Sequence, residues 1–176
     1  MMRPLSVERV FLVGPMGAGK STVGRQLAEA LGWSFVDSDA EIEQRSGADI
    51  PWIFDVEGES GFRDREESVL EQLTQRPKIV LATGGGAVMR ENSRHFLRER
   101  GYVVYLCTSV EQQLERTARD RNRPLLRTAQ PEQVLRDLFV TRDPLYRQTA
   151  HAVISTEAGQ ARDVMHKILR QLREQE

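Results

Sequence analysis

The chain has 176 residues, which suits one domain large enough to bury a core without disulfides or a structural metal. Its 25 basic and 26 acidic residues leave a formal net charge of −1, so the charge gives no indication of a nucleic-acid or membrane partner. Cys107 is the only cysteine; this excludes an intrachain disulfide, and its apolar neighbours predict a buried structural thiol. Because no signal-type or membrane-spanning apolar run occurs, a cytoplasmic location is expected.

The first predicted elements are a strand, a glycine-rich loop and a helix. Residues 10–13 are apolar, and residues 21–31 place apolar side chains on one helical face. Between them, residues 14–21 read GPMGAGKS and fit the pattern G-x-x-x-x-G-K-[ST]. Glycines let backbone N–H groups face an anion, and the helix adds the positive end of its dipole. We therefore predict a P-loop rather than an incidental glycine-rich turn, with Lys20 on the β- and γ-phosphates and Ser21 on Mg²⁺.

Short strands and helices alternate along the rest of the chain. Strands are predicted at residues 33–36, 79–82, 102–106 and 151–155, and helices at residues 40–44, 50–56, 62–73, 93–100, 109–120, 132–146 and 163–172, with a break at Gly58 and Gly61. This alternation predicts a three-layer α/β/α fold with a parallel sheet covered on both faces, in one domain of residues 1–176. Residues 121–131 lose the periodicity and are rich in Arg and Pro, which indicates a mobile surface loop and a candidate lid.

Unusual residues follow three of the predicted strands. The P-loop follows the first strand, Asp37-Ser38-Asp39 ends the second, and Gly84-Gly85-Gly86 comes after the third. Ligands of open parallel sheets bind beyond the carboxyl ends of the strands. We therefore expect the three segments to line one cleft.

An ordered set of short motifs resembles the shikimate kinase family. The set comprises the P-loop, Asp37-Ser38-Asp39, Phe62-Arg63-x-x-Glu66, Gly84-Gly85-Gly86, Arg123-Pro124-Leu125-Leu126 and Arg142-x-Pro144-Leu145-Tyr146. It spans nearly the whole chain, and its order is more specific than any single motif. The resemblance implies a nucleoside-monophosphate-kinase-like fold with a five-stranded parallel sheet of order 2-3-1-4-5. It also implies transfer of the γ-phosphoryl group of ATP, with Mg²⁺, to the 3-hydroxyl of shikimate.

The resemblance gives the two aspartates separate roles. It puts Asp37 on the Mg²⁺ side, while Asp39 bonds the shikimate hydroxyls and is the candidate base. Two acids at a strand end are otherwise ordinary turn residues, but phosphoryl transfer beside a P-loop needs both functions. Whether Asp39 removes the proton or only positions the hydroxyl stays open, because a loose transition state requires little of a base.

The arginines are divided between the acceptor and the nucleotide. By itself, Arg63 with Glu66 would be an i,i+3 surface pair contributing about 0.2–0.5 kcal/mol. The resemblance instead assigns Arg63 and Arg142 to the shikimate carboxylate, which a planar donor fork suits, with Glu66 holding Arg63. It places Arg123 on the transferring phosphoryl group when the lid closes, and Arg116 against the adenine.

The remaining predicted contacts belong to loops. Gly84, Gly85 and Gly86 are expected to close over the shikimate ring, and a helical region of about residues 38–75 is expected to bind the substrate. Predicted nucleotide contacts are Gly17, Ala18, Gly19, Lys20, Ser21, Thr22, Arg116, Arg123 and Gln160. The loop that holds Gln160 lacks the arginine that some relatives carry near the adenine. The three histidines have no metal-ligand spacing and are interpreted as structural or surface residues.

Two other functions would use some of the same features. One is another kinase of the same fold, such as a gluconate kinase, which the motifs around Arg63 and Arg142 disfavour. The other is a regulatory module that holds ATP without transferring phosphate, in which Asp39, Arg63 and Arg142 would have no common purpose. The partners expected are therefore shikimate and ATP, with no nucleic acid or membrane, and the chain is expected to be a monomer.

Overall fold

The computed structural model describes residues 5–118, 130–157 and 159–175. Strands and helices alternate, as the sequence predicts. The strands are β1 (Arg9–Val13), β2 (Ser34–Asp37), β3 (Ile79–Ala82), β4 (Tyr102–Cys107) and β5 (Ala152–Ser155). The helices are α1 (Lys20–Leu31), α2 (Ser38–Ser46), α3 (Ile50–Leu73), α4 (Glu91–Arg100), α5 (Val110–Thr117), α6 (Pro131–Thr149) and α7 (Ala161–Glu174).

The strands form one parallel sheet of order β2-β3-β1-β4-β5, which confirms the predicted topology. The register aligns the carboxyl ends of the strands, since both Leu12 of β1 and Asp37 of β2 pair with Ala82 of β3. The segments that follow β1, β2 and β3 therefore begin at the same edge of the sheet, where the strand order reverses around β1.

The core lies on both faces of the sheet, because successive side chains of a strand point to opposite faces. Phe11 and Val13 of β1 pack with α3, α4 and α6, and Val10 and Leu12 pack with α1 and α7. Cys107, at the end of β4, is only partly buried, whereas the sequence predicted a buried thiol. Burial nevertheless raises the pKa of this thiol, which is opposite to the shift that activates a nucleophile.

Helix α3 contains the predicted break, and the structure places it at Gly58. Residues 50–73 comprise two helical segments that meet at a kink at Gly58 (φ 74°, ψ 176°), whereas Gly61 lies within the second segment and does not interrupt it. The positive φ of Gly58 favours glycine, and the helix resumes at once. Ile53 and Phe62, on either side of the kink, bury into the same core, which holds the two segments together.

The predicted lid lies mostly outside the described residues, which exclude 119–129 and therefore Arg123. Its last residue, Pro131, is the first residue of α6. In the ranges that the structure describes, no helix has the length and apolar character needed to cross a membrane.

Candidate active site

The loop between β1 and α1 has the backbone geometry of an anion cradle. Gly14, Gly17 and Gly19 have positive φ values of 146°, 78° and 89°. At Gly14 a Cβ atom would lie 2.3 Å from the carbonyl oxygen of Leu106, so a side chain is excluded there. Helix α1 begins at Lys20 directly after the loop. The N–H groups of its first turn are thus available to an anion at the carboxyl edge of the sheet.

Helix α5 supports this loop from outside. Gln113 Nε2 donates to Met16 O at 2.9 Å, and Arg116 Nη1 donates to Gly17 O at 2.8 Å. Arg116 Nη2 also donates to Thr156 O at 3.0 Å, so its guanidinium spans from the P-loop to the segment after β5. Arg116 is among the predicted site residues, whereas Gln113 is not, because it belongs to no local motif.

Lys20 and Ser21 project from the start of α1. Lys20 Nζ donates to the carbonyl oxygens of Gly14 and Pro15, at 2.6 and 2.8 Å. Ser21 Oγ donates to Asp37 Oδ2 at 3.0 Å, and Asp37 Oδ1 caps α2 by accepting the backbone N–H groups of Asp39 and Ala40. The cap fixes the orientation of the Asp37 carboxylate beside the serine hydroxyl.

The Ser21–Asp37 pair suits Mg²⁺. Hydroxyl and carboxylate oxygens are hard ligands, and Mg²⁺ in kinases typically takes one or two of them together with waters and phosphate oxygens. Within the described residues, no group of three or more His, Cys, Asp or Glu side chains could enclose a metal by itself. The donor set therefore fits a magnesium ion that is held jointly with a polyphosphate.

The triple glycine after β3 is required by close approaches. Gly84 N donates to Ser38 Oγ at 3.2 Å, which draws this segment against the start of α2. A Cβ atom at Gly84 would lie 2.6 Å from Asp39 Oδ1, and one at Gly86 would lie 2.2 Å from Arg63 Nη2. The absence of side chains thus lets a carboxylate from α2 and a guanidinium from α3 reach the same segment.

Arg63 and Glu66 form a buried ion pair. Arg63 Nη1 donates to Glu66 Oε1 at 2.8 Å, and the two residues are only 7% and 2% exposed. Burial raises the pKa of the Glu66 carboxyl, while the nearby charges of Arg63 and Arg142 oppose that shift. The alternative of an ordinary surface pair is therefore wrong.

Arg142 of α6 also lies beside the triple glycine. It is 4% exposed, and its Nη1 lies 3.3 Å from where a Cβ atom of Gly85 would be. Tyr146, one turn later, donates its hydroxyl to Gly85 O, and burial raises its pKa to about 12, so it stays a hydrogen-bond donor. Neither Arg63 Nε nor Arg142 Nε has a hydrogen-bond partner among the described residues. Two buried cations with unused donors favour an anionic ligand.

A cavity of about 400 Å³ opens along the P-loop, the start of α2 and the triple glycine. The predicted residues that line it are Gly17, Gly19, Lys20, Ser21, Thr22, Asp37, Asp39, Gly84, Gly85 and Arg116. The lining also includes Met16, Ala40, Glu43, Thr83 and Thr117, which the sequence analysis did not identify as site residues. Met16 is a variable position of the P-loop motif, and no sequence pattern marks the other four, whose positions depend on packing.

Five predicted residues within the described ranges do not line this cavity. Ala18 is buried in the core, and Gly86, Arg63 and Arg142 lie around the triple glycine beyond the lining. Gln160, also outside the lining, is the exposed residue preceding α7, where its backbone N–H donates to Asp163 Oδ2 at 3.1 Å.

A P-loop on the central strand of a parallel 2-3-1-4-5 sheet, with an acid and two arginines beside it, defines a P-loop kinase of small molecules. The sequence model of the family described as Shikimate kinase matches residues 16–173. The chain belongs to this family.

Comparisons with individual proteins support the same family. A shikimate kinase from Chromohalobacter salexigens is 66% identical over 161 residues, covering 92% of this chain and 89% of the relative. A solved shikimate kinase from Acinetobacter baumannii, in complex with shikimate, has a TM-score of 0.95 and 58% identity, covering 97% of this chain and 96% of that one. A gluconokinase from Sinorhizobium meliloti, at 19% identity, TM-score 0.58 and coverage of 97% and 94%, shares the fold alone.

Proposed function

We propose that this protein is an ATP-dependent shikimate kinase that transfers the γ-phosphoryl group of ATP to the 3-hydroxyl of shikimate, giving shikimate 3-phosphate and ADP. One observation carries the proposal: Asp39, Arg63 and Arg142 converge on the triple glycine, of which Gly84 and Gly85 line the P-loop cavity. A hydroxylated carboxylic acid matches that combination of an acceptor and two cationic forks. The names of the relatives at high identity support the same substrate.

In this proposal the P-loop and its neighbours hold the nucleotide. Backbone N–H groups of residues 17–22 bind the phosphates, and Lys20 exchanges its loop carbonyls for phosphate oxygens. Arg116, held between Gly17 and Thr156, forms a wall for the adenine. Ser21 and Asp37 would hold Mg²⁺ together with the nucleotide, and the ion would neutralise negative charge on the phosphates during transfer.

The acceptor half positions the attacking hydroxyl. Asp39 accepts a hydrogen bond from the shikimate hydroxyl and holds its oxygen toward the phosphate site, either taking the proton or only orienting it. Arg63 and Arg142 bind the carboxylate at the opposite end of the ring, and Glu66 fixes Arg63 from behind. Gly84, Gly85 and Gly86 have no side chains that would keep the ring from the backbone, so the ring can lie between the arginines and Asp39.

Several further assignments belong to the same proposal. Arg123 closes on the transferring phosphoryl group from a lid of about residues 121–131, and Gln160 lies near the nucleotide. Residues 1–176 act as a single kinase domain, with acceptor binding in about residues 38–75. The enzyme works as a cytoplasmic monomer on small molecules, independently of nucleic acids and membranes.

The test is a coupled ADP-release assay with Mg·ATP and four acceptors: shikimate, gluconate, quinate and a nucleoside monophosphate. The expected result is rapid ADP release with shikimate and not with the other three acceptors. Preference for gluconate would establish the other kinase, and ATP binding without phosphotransfer to any acceptor would establish a nucleotide-holding module. Either outcome would refute the proposal.

A further inference from the structure

Arg63 has a second acidic neighbour besides Glu66. Its Nη2 lies 3.4 Å from Oε1 of Glu59, one turn earlier on α3, whereas Nη1 bonds Glu66 at 2.8 Å. The two carboxylates differ in environment, because the Glu66 side chain is 3% exposed and that of Glu59 is 54% exposed. The long contact to Glu59 is therefore a weak one, made by a side chain that can move into water at low cost.

The position of Arg63 does not depend on Glu59. The guanidinium is fixed by the buried bond to Glu66, it lies 5.1 Å from the centre of the Phe62 ring, and its Nη2 fills the space beside Gly86. These contacts remain when Glu59 leaves. Glu59 instead adds a negative charge on the exposed side of a cation whose inner side is already paired.

We propose that Glu59 is an internal counter-ion of Arg63: the carboxylate of the substrate displaces it on binding, and its charge lowers the affinity of the acceptor site for carboxylates. This inference rests on the proposed function, because it takes Arg63 as the carboxylate clamp. Until substrate arrives, Glu59 offsets the charge of Arg63 and lowers its attraction for other small anions. Only an acceptor that also binds Asp39 and Arg142 gains enough binding free energy to displace Glu59 from Arg63.

The test is Glu59→Gln, which keeps the size and helix preference of the side chain but removes its charge. Exposed ion pairs contribute little, so the KM for shikimate and its dissociation constant should fall by about two- to five-fold, with kcat unchanged. The KM for ATP should not move. Competitive inhibition by acetate, measured against shikimate, should strengthen by a similar factor, because acetate then meets an unneutralised Arg63.

Glu57→Gln is the matched control. Glu57 lies on the other side of the Gly58 kink and binds Arg65 through both carboxylate oxygens, at 2.8 and 2.7 Å, away from Arg63. It should leave the constants for shikimate and acetate unchanged. Glu59→Ala provides a second variant and should shift the constants in the same direction as Glu59→Gln.

A rise in the KM for shikimate, unchanged constants for shikimate and acetate, or equal shifts in the Glu57 control would each overturn the inference. Binding titrations of shikimate and acetate accompany the kinetics. If the wild-type enzyme bound shikimate without turning it over, the proposed reaction would fail, and the titrations would still decide the role of Glu59.

Discussion

The nucleotide half and the acceptor half of the proposed active site are built in different ways. The nucleotide half is made of contiguous residues 14–22, and its main donors are backbone N–H groups exposed by positive-φ glycines. The acceptor half takes its groups from three helices and a loop: Asp39 from α2, Arg63 from α3, Arg142 from α6 and the triple glycine after β3. Its specificity lies in charged side chains, two of which are almost fully buried.

This difference predicts different tolerances. A backbone cradle depends on local conformation and accepts any polyphosphate. Single charged side chains there should therefore affect the rate of phosphoryl transfer more than the choice of nucleotide. A site made of buried, converging side chains depends on the shape of the charged group at the end of each side chain. A hydrogen bond that is lost there leaves a buried polar group without a partner. Substitutions that keep the charge of a side chain but change its shape should therefore impair the acceptor half more than the nucleotide half.

The largest effect is expected for Asp39→Asn, at the junction of the halves. The amide keeps the size of the side chain but cannot take a proton and holds the hydroxyl less strongly, so kcat should fall by roughly 10²- to 10⁴-fold. The dissociation constant of ATP, from titration without shikimate, should stay the same. Asp137→Asn, at an exposed position of α6, is the control. Near-normal kcat in Asp39→Asn would remove this residue from the mechanism.

Lys20→Met tests the nucleotide half. Loss of the ammonium group beside Gly14 and Pro15 removes a charge from the phosphates, and kcat should fall by about 10²- to 10³-fold, as for other lost transition-state donors. The shikimate dissociation constant, measured by titration, should change little. Lys167→Met, on the exposed face of α7, should be neutral. A folded Lys20 variant with wild-type turnover would contradict the P-loop assignment.

Arg63→Lys tests the acceptor half at constant charge. Loss of the planar fork should cost on the order of 1.5–3 kcal/mol in kcat/KM for shikimate and leave ATP binding unaffected. Arg142→Lys should behave similarly, and the double variant should be non-additive because both arginines bind one carboxylate. Arg65→Lys, on the same helix but in an exposed pair with Glu57, is the matched control. Weakened ATP binding with normal shikimate kinetics would refute the clamp.

The smallest effect concerns stability, and it lies away from both halves. His151 Nδ1 accepts the backbone N–H of Val103 at 2.9 Å, and burial and the charge of Arg98 lower the pKa of its imidazole. As the pH falls, His151 therefore binds a proton at a higher pH in the unfolded chain than in the folded one. The contribution of His151 to stability should be full above about pH 6.5 and decrease as the pH falls below it. Thermal unfolding between about pH 5 and 8 measures this. The pH dependence should weaken in His151→Gln and persist in His166→Gln, whose histidine is exposed.

Much of the nucleotide half could be predicted from the sequence because its chemistry is local. The P-loop needs only glycines at fixed spacing between a strand and a helix, and residues 14–21 contain all of them. Alternating strands and helices likewise predicted the parallel sheet, since both periodicities are properties of short segments. By contrast, Gln113, which bonds the P-loop from 97 residues away, left no signal in the sequence.

Only the tertiary structure decided the nature of the acceptor half. The spacing of Arg63 and Glu66 fits an exposed helical pair as well as a buried one, and it was packing against the triple glycine and α6 that excluded water from it. Gly58 and Gly61 looked equivalent as helix breakers, yet only Gly58 has a positive φ, and Ile53 and Phe62 on either side of it bury into the same core. Burial depends on contacts between distant segments, and a local pattern contains no record of them.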